Sequence, residues 1–343
     1  MAQTYHETLP KNYFGDLYDR VARNLLHNEN VCISAIPGFG IKTIFNFLVY
    51  QLQKNKITEK LVIYDPTIEG TDIIEFVNSK VSKSSNIVIV IRFFENILNK
   101  KEVLEKLDSI KRIHNKTISY LVFTNHEAVT SPQDFTATST IFFTDRTYQG
   151  PFDRNQTLKM IATLREFYGW EIAKKDVNEI YDLSGGIPRL IKYICKEIAE
   201  NNALIEDVDK FTKNIQVSFQ LEYLSKILIQ NSLTNSKALG IINPNGHLNS
   251  HLLETYFKHF KYKILEDLYP SLSDKEIKIL SYLLGSENKI ITLDKIADLM
   301  KLTDDTFSLW AIYKMISRLK PKVRNNFEIR NIKGRGYIIQ RHN

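Results

Sequence analysis

A glycine-bearing turn followed by a lysine and a threonine has the residue types that phosphate binding requires. Gly38 and Gly40 are separated by one residue, and Lys42 and Thr43 follow directly after Ile41. Glycines let backbone N–H groups turn inward to an anion, the lysine adds charge for the β and γ phosphates, and a threonine hydroxyl can bind magnesium. The spacing therefore predicts a phosphate-binding turn.

The segments around this turn predict the elements that must position it. Between segments rich in β-branched residues lie helical patterns at 42–53, 71–80 and 95–113, and this alternation predicts an α/β fold with a doubly wound parallel sheet. Ligands of such sheets bind at the carboxyl ends of the strands, where the glycine turn follows the first strand. The predicted strands are residues 31–35, 60–64, 86–91, 118–124 and 140–143.

These motifs, in this order, resemble those of AAA+ and STAND ATPases over about residues 13–199. The glycine turn resembles a P-loop, Asn125 resembles the sensor-1 position after a strand, and the 183–191 segment resembles the G-x-P motif of a helical lid. The resemblance implies ATP or ADP as the ligand. Its implied contacts are Gly38, Gly40, Lys42, Thr43, Asn125, Pro188 and Arg189.

The chain departs from that pattern at two places. The usual P-loop pattern is G-x-x-x-x-G-K-(S/T). If its lysine is aligned with Lys42, Ile36 and Ile41 occupy the two glycine positions, which often need positive φ. If its glycines are aligned with Gly38 and Gly40 instead, Ile41 takes the place of the lysine. Arg92 follows the strand that should end in a magnesium-binding aspartate, and a guanidinium repels a metal ion. We therefore expect a degenerate NTPase module that is not an efficient ATPase and that serves self-association or nucleotide sensing. The alternative is an active ATP-dependent switch in defence, replication or transposition.

The last 38 residues carry the excess positive charge of the chain. Residues 306–343 contain nine Lys or Arg and one acid, Glu328, so the other residues hold 37 basic and 38 acidic side chains. The basic residues alternate with apolar ones at helical and then strand spacing, which is typical of a folded nucleic-acid-binding surface.

The elements predicted for this end form three helices and a hairpin. Ser273 and Glu276 form a capping box on an amphipathic helix that ends near residue 285. A short β-rich segment at 289–293, helices at 294–301 and 304–323, and two strands within 327–341 follow. Three helices followed by a β-wing describe a winged helix.

This region resembles the effector domain of OmpR/PhoB-type response regulators over roughly the last 75 residues. The shared motifs are the I-S-R-L-K-P-K run at 316–322 and the G-R-G-Y wing at 334–337. The resemblance implies binding to double-stranded DNA, with the third helix in the major groove and the wing at the minor groove or backbone. The implied groove residues are Trp310, Tyr313, Lys314, Ser317 and Arg318, and the implied phosphate contacts are Lys320, Lys322, Lys333 and Arg335. The alternative is a basic face that docks an acidic protein.

Length and composition predict the remaining organisation. We expect an NTPase-like domain at 1–150, a helical lid at 151–222, a linker or reduced winged-helix element at 223–264, and the winged helix at 265–343. Two cysteines without a C-x-x-C partner predict neither a disulfide nor zinc, and we expect His247, His251 and His259 to be exposed or capping residues, without structural metal. No apolar run approaches membrane length and no signal peptide is evident, so we expect a cytoplasmic prokaryotic protein without membrane association. Together, the degenerate NTPase-like module and the basic winged helix predict a transcriptional regulator or an initiator-like protein.

Overall fold

The computed structural model describes residues 3–81, 86–114, 118–137, 141–302 and 308–341. The chain divides into two compact units, Met1–Ile205 and Glu206–Asn343. None of the described helices is long and apolar enough to cross a membrane. Cys32 and Cys195 are free and buried, and burial raises the pKa of each thiol to about 12.

The first unit contains a five-stranded, fully parallel sheet with the strand order β2-β3-β4-β1-β5. Three of these strands, β1, β3 and β4, are buried along their whole length, as a parallel sheet covered on both faces requires. The predicted α/β fold with a parallel sheet is confirmed. The strands are β1 (Val31–Ala35), β2 (Lys60–Tyr64), β3 (Ile87–Ile91), β4 (Ile118–Thr124) and β5 (Asp145–Gln149).

The fifth strand does not lie where the sequence predicted it. Of the predicted 140–143 segment, Thr140 lies outside the described residues, while Phe142 and Phe143 are buried in the core without belonging to a strand. The edge strand that pairs with β1 on the side away from β4 is the more polar Asp145–Gln149. An aromatic run signals burial, whereas an edge strand needs only backbone pairing along one side.

Helices cover both faces of the sheet. On one face, Leu104 and Leu107 belong to the same hydrophobic cluster as Ile89 of β3. On the other, the ring of Phe45 meets Phe123 of β4 edge-on, with centroids 5.2 Å apart. The helices of this unit are α1 (Tyr5–Thr8), α2 (Leu17–Leu26), α3 (Ile41–Lys54), α4 (Ile73–Lys80), α5 (Lys100–Ile113), α6 (Glu127–Thr130), α7 (Arg154–Tyr168), α8 (Asp176–Ser184) and α9 (Pro188–Asn201).

Local sequence explains where these helices begin. The Asp72 carboxylate accepts the Ile74 N–H at the start of α4, and Asp153 forms a capping box with Gln156 at the start of α7. The predicted helix at 95–113 begins only at Lys100. It is preceded by the 3-10 turn Phe94–Asn96. Phe93, before this turn, and Asn99, at the cap position of α5, both have left-handed backbone conformations.

The second unit combines seven described helices with a small antiparallel sheet of order β6-β8-β7. The predicted domain boundary after residue 222 falls inside α11, which is continuous over 16 residues. The helices are α10 (Val208–Lys213), α11 (Ile215–Gln230), α12 (Leu233–Ala238), α13 (His251–Leu268), α14 (Asp274–Gly285), α15 (Leu293–Met300) and α16 (Leu309–Val323). The strands are β6 (Ile291–Thr292), β7 (Phe327–Ile332) and β8 (Gly336–Arg341).

The three-helix and hairpin arrangement predicted for the carboxyl end is present. The capping box of Ser273 with Glu276 starts α14, and the Ser308 hydroxyl accepts the Ala311 N–H at the start of α16. The start predicted near residue 304 lies outside the described residues. Leu309, in the first turn of α16, is exposed, and the buried stripe of this helix begins at Ile312.

Gly336 lies where the β7–β8 hairpin packs closely against β6. Its φ is +143°, and a Cβ atom there would lie 1.9 Å from the carbonyl oxygen of Ile291. Only glycine permits this close approach, which lets β6 pair with β8.

Candidate functional site

A cavity of about 510 Å³ lies at the carboxyl ends of the parallel strands in the first unit. We call it the strand-end cavity. The sequence predicted nucleotide contacts in three segments that are far apart in the chain, and the fold brings all of them to this one place. The predicted residues that line it are Gly38, Gly40, Lys42, Thr43, Asn125, Pro188 and Arg189.

The turn before α3 places its left-handed residues at the two glycines. Gly38 has φ +101° and Gly40 has φ +94°, whereas Ile36 and Ile41 both have negative φ. The strain expected for isoleucine at a positive-φ position therefore does not arise. Ile36 is fully buried, and Ile41 begins the helix.

The amino end of α3 offers hydrogen-bond donors to the strand-end cavity. Gly40 at the cap position has no side chain to accept from the helix, and the N–H groups of Ile41, Lys42 and Thr43 have no acceptor within it. Lys42 is exposed, and its ammonium pairs with none of the described side chains. Such a helix start favours a phosphate group.

Arg92, at the end of β3, is fixed in the wall of the same cavity. Its Nη1 lies 3.3 Å from the Oδ2 atom of Asp65, and its guanidinium carbon lies 5.0 Å from the ring centroid of Phe45 and 4.3 Å from that of Phe93. The other carboxylate oxygen of Asp65 accepts the N–H and the hydroxyl of Thr67, at 2.9 and 2.6 Å. Asp65 therefore serves as both a turn residue and the counter-ion of Arg92.

Two polar groups at the far wall have different partners. The Asn125 side-chain oxygen accepts the Glu127 N–H at 2.9 Å, so this amide is oriented by its own loop. Burial raises the pKa of the Glu95 carboxyl. The Glu95 Oε2 atom is buried and meets no donor among the described residues.

The start of α9 is tied directly to the glycine turn. The Arg189 N–H donates to the Gly38 carbonyl at 3.0 Å. Sequence reasoning missed several further cavity residues, and those that carry polar groups include Lys192, Tyr193 and Tyr5. The first two were detectable, because they follow Arg189 by three and four positions and so share its helix face. No sequence signal pointed to Tyr5.

The cavity wall does not suit a magnesium ion. The carboxylate of Asp65 is used by Arg92 and Thr67, and a guanidinium stands at the strand end where a carboxylate ligand is needed. Over the described parts of the chain, no group of three or more His, Cys, Asp or Glu could hold a metal ion. The hydroxyl of Thr43 alone does not make a site.

A second candidate site lies on α16 and the β7–β8 hairpin. Trp310 is 66% exposed and Tyr313 is 42% exposed, and the Lys314 ammonium lies 4.4 Å from the Trp310 ring centroid. Ser317 and Arg318 are exposed on the same helix. A groove of about 260 Å³ separates α16 from the hairpin and is lined by Tyr313, Ile316, Ser317, Lys320, Asn331 and Tyr337.

Acid partners neutralise some cations of this region. The Lys322 ammonium lies 2.8 Å from both oxygens of Glu276, whose side chain is 5% exposed, and also donates to the Ser271 carbonyl. Burial raises the pKa of Glu276, but the hydrogen bonds from Lys322 and Ser273 outweigh it and lower that pKa overall. The sequence predicted a phosphate contact for Lys322. The structure instead engages this ammonium within the second unit.

Two arginines are neutralised in the same way. Arg330 pairs with Glu328 at 2.6 Å, and Arg341 pairs with Glu287 at 3.0 Å. Five predicted DNA-contact cations have no acidic partner in the described part of the chain, and we call them the basic surface. They are Lys314, Arg318, Lys320, Lys333 and Arg335.

The parallel sheet and the glycine turn after β1 define the first unit as an α/β fold of the P-loop NTPase-like type. No protein-family model and no curated protein matches the chain.

Solved structures show a similar arrangement at low identity. A RuvB variant from Thermotoga maritima is 14% identical with a TM-score of 0.46, over 76% of this chain and 97% of that one. The Aeropyrum pernix Orc1 protein in complex with DNA is 10% identical with a TM-score of 0.43, over 97% and 90%. A Walker-type ATPase of Pyrococcus abyssi is 11% identical with a TM-score of 0.44, over 98% and 97%. At these values the likenesses assign neither a family nor a function.

Proposed function

We propose that the protein binds double-stranded DNA through a winged helix at residues 265–343. The observation that carries this proposal is the basic surface: five cations that no described acid neutralises, on one helix and the tip of the adjacent hairpin. A chain whose other residues are almost charge-balanced gains nothing for solubility by concentrating cations there.

In this proposal, α16 enters the major groove and the hairpin follows the backbone. The exposed side chains of Trp310, Tyr313, Lys314, Ser317 and Arg318 face base edges, where lysine and arginine read guanine. Lys320 beside the groove, and Lys333 and Arg335 in the hairpin turn, neutralise phosphates. Lys322 supports the domain through Glu276 and is left out of the contact set.

The first unit supplies nucleotide sensing or self-association. ATP or ADP occupies the strand-end cavity, with its phosphates at the amino end of α3 and beside Lys42. Hydrolysis is inefficient, because Arg92 stands where the metal-binding carboxylate is needed.

Selection of bound fragments from random duplex DNA by the full chain tests DNA binding and identifies the preferred sequence. We expect enrichment of one motif and an affinity that falls steeply with salt. Failure to bind any duplex at low ionic strength overturns the proposal. Binding to acidic proteins but not to duplex DNA assigns the basic surface to a protein partner instead.

An active ATP-dependent switch is the second candidate function. It is favoured by the convergence of seven predicted contact residues on one cavity and by the unpaired state of Lys42 among the described residues. ATP turnover with and without DNA separates the two. A substantial rate that collapses in Lys42→Ala supports the switch and removes the inefficient-hydrolysis proposal.

A further inference from the structure

We infer that the strand-end cavity binds its nucleotide without a divalent cation, with the guanidinium of Arg92 supplying positive charge to the phosphates in place of a metal ion. The inference rests on nucleotide binding in this cavity, as proposed above. It concerns the chemical form of the ligand, a metal-free nucleoside di- or triphosphate.

Arg92 is held in place by contacts on several sides. Asp65 binds one edge of the guanidinium, Phe45 and Phe93 stack against it, and the backbone N–H of Arg92 continues the sheet by donating to the Tyr64 carbonyl at 2.9 Å. The side chain is only 26% exposed. A cation fixed in this way costs little conformational entropy when it binds an anion.

Arg92 and the phosphate-binding turn face one space. The ring that stacks on Arg92 belongs to Phe45, two residues after Thr43 on α3, and all three residues line the cavity. Asp65 leaves part of the guanidinium unused, because it contacts Nη1 only. An arginine has five N–H donors, so the remaining ones are available to phosphate oxygens.

The charges around the cavity favour an anion over an anion–metal complex. Among the described residues, four cationic side chains line it, of which Arg92 is paired with Asp65, and the one carboxyl in the lining is Glu95, whose burial disfavours its charged form. A magnesium ion placed beside the phosphates meets these cations without a free carboxylate to balance it. The cationic lining is Lys42, Arg92, Arg189 and Lys192.

Calorimetric titration of the full chain with ATP, in excess EDTA and in excess magnesium, tests the inference. We expect the dissociation constant in EDTA to equal or fall below that in magnesium. Arg92→Gln keeps a hydrogen bond for Asp65 and removes the charge, so it weakens binding in EDTA by about 10- to 150-fold. Arg92→Lys retains a cation and therefore weakens ATP binding in EDTA less than Arg92→Gln does.

The matched control is Arg112→Gln. Arg112 lies on α5, outside the cavity lining, and pairs with Asp108, so its loss leaves ATP affinity unchanged. Thermal unfolding of each variant establishes that it is folded. Should Arg92→Gln prove unfolded, the wild-type comparison in EDTA and magnesium still decides.

The outcomes separate this inference from the proposal beneath it. Binding that requires magnesium, or that survives Arg92→Gln in EDTA, overturns the metal-free mode and leaves nucleotide binding intact. A wild-type chain that binds ATP in neither condition refutes ATP binding in this cavity itself.

Discussion

Replacing Lys333 and Arg335 together by alanine removes two of the five cations of the basic surface from the tip of the hairpin. Both side chains are exposed in the turn and support no described ion pair, so the fold is unaffected. Each phosphate that a protein neutralises contributes about −0.9 to the slope of log affinity against log salt. The three phosphate contacts Lys320, Lys333 and Arg335 predict a wild-type slope of about −2.7, and the double variant, which keeps only Lys320, has a slope of about −0.9.

These slopes convert into large differences in affinity. Between 50 and 200 mM salt, the wild type loses roughly 40-fold in affinity and the double variant roughly 3- to 4-fold. Fluorescence anisotropy of a labelled duplex, titrated with the full chain at several salt concentrations, measures both slopes.

Arg330 provides the matched control within the same hairpin. It is an exposed arginine on β7, but its charge is already paired with Glu328 at 2.6 Å. Arg330→Ala therefore keeps a slope close to that of the wild type. A slope that is unchanged in the double variant, or lowered equally by Arg330→Ala, refutes the assignment of the hairpin tip to phosphate binding.

Three further results are expected. The double variant Lys314→Ala and Arg318→Ala loses sequence preference while keeping most of its affinity for random duplex, as measured by competition with a selected and a scrambled site. Glu276→Gln leaves Lys322 without its counter-ion and lowers the free energy of unfolding by about 1–3 kcal/mol in denaturant titration. Because the pKa of Glu276 is lowered in the folded state, its stabilising contribution is present above the ordinary glutamate pKa and is lost as pH falls through the folded value. A wild-type stability with no decline at acid pH attributable to Glu276 contradicts this prediction. Gly186→Ala forces a Cβ to within 2.0 Å of a backbone oxygen at a φ of +74°, so it lowers the melting temperature and the ATP affinity together, whereas an unchanged melting curve disproves the constraint.

Much of the first unit was predictable because its strands are short runs of β-branched residues between helical patterns. The limits of β1, β2 and β4 match the predicted segments, and β3 begins one residue later than predicted. β5 was not predictable in this way: its sequence is polar, and what makes it a strand is the backbone of β1 beside it. A hydrophobic pattern reports burial, and edge pairing leaves no such pattern.

In the candidate sites, too, some features were predictable from the sequence pattern and others depend on tertiary neighbours. Residues that belong to ordered motifs, such as Lys42 and Arg189, line one cavity, and their binding of a nucleotide stays a prediction. The partners of individual charges were not predictable, because Asp65 lies 27 residues before Arg92, and Glu276 lies 46 residues before Lys322. Such pairs depend on tertiary distance, which composition and spacing do not contain.

The hydrogen bond from the Arg189 N–H to the Gly38 carbonyl joins two stretches of backbone that are distant in the chain, the start of α9 and the glycine turn. The first peptide groups of α9 cannot move away from the glycine turn without breaking this hydrogen bond or moving the turn with them. The bond joins main chain to main chain, so a side-chain rotation cannot compensate for such a movement. A substitution of Arg189 by any residue other than proline keeps the N–H donor and leaves this link in place. Replacing Arg189 by proline removes the donor, and with it the hydrogen bond between α9 and the glycine turn.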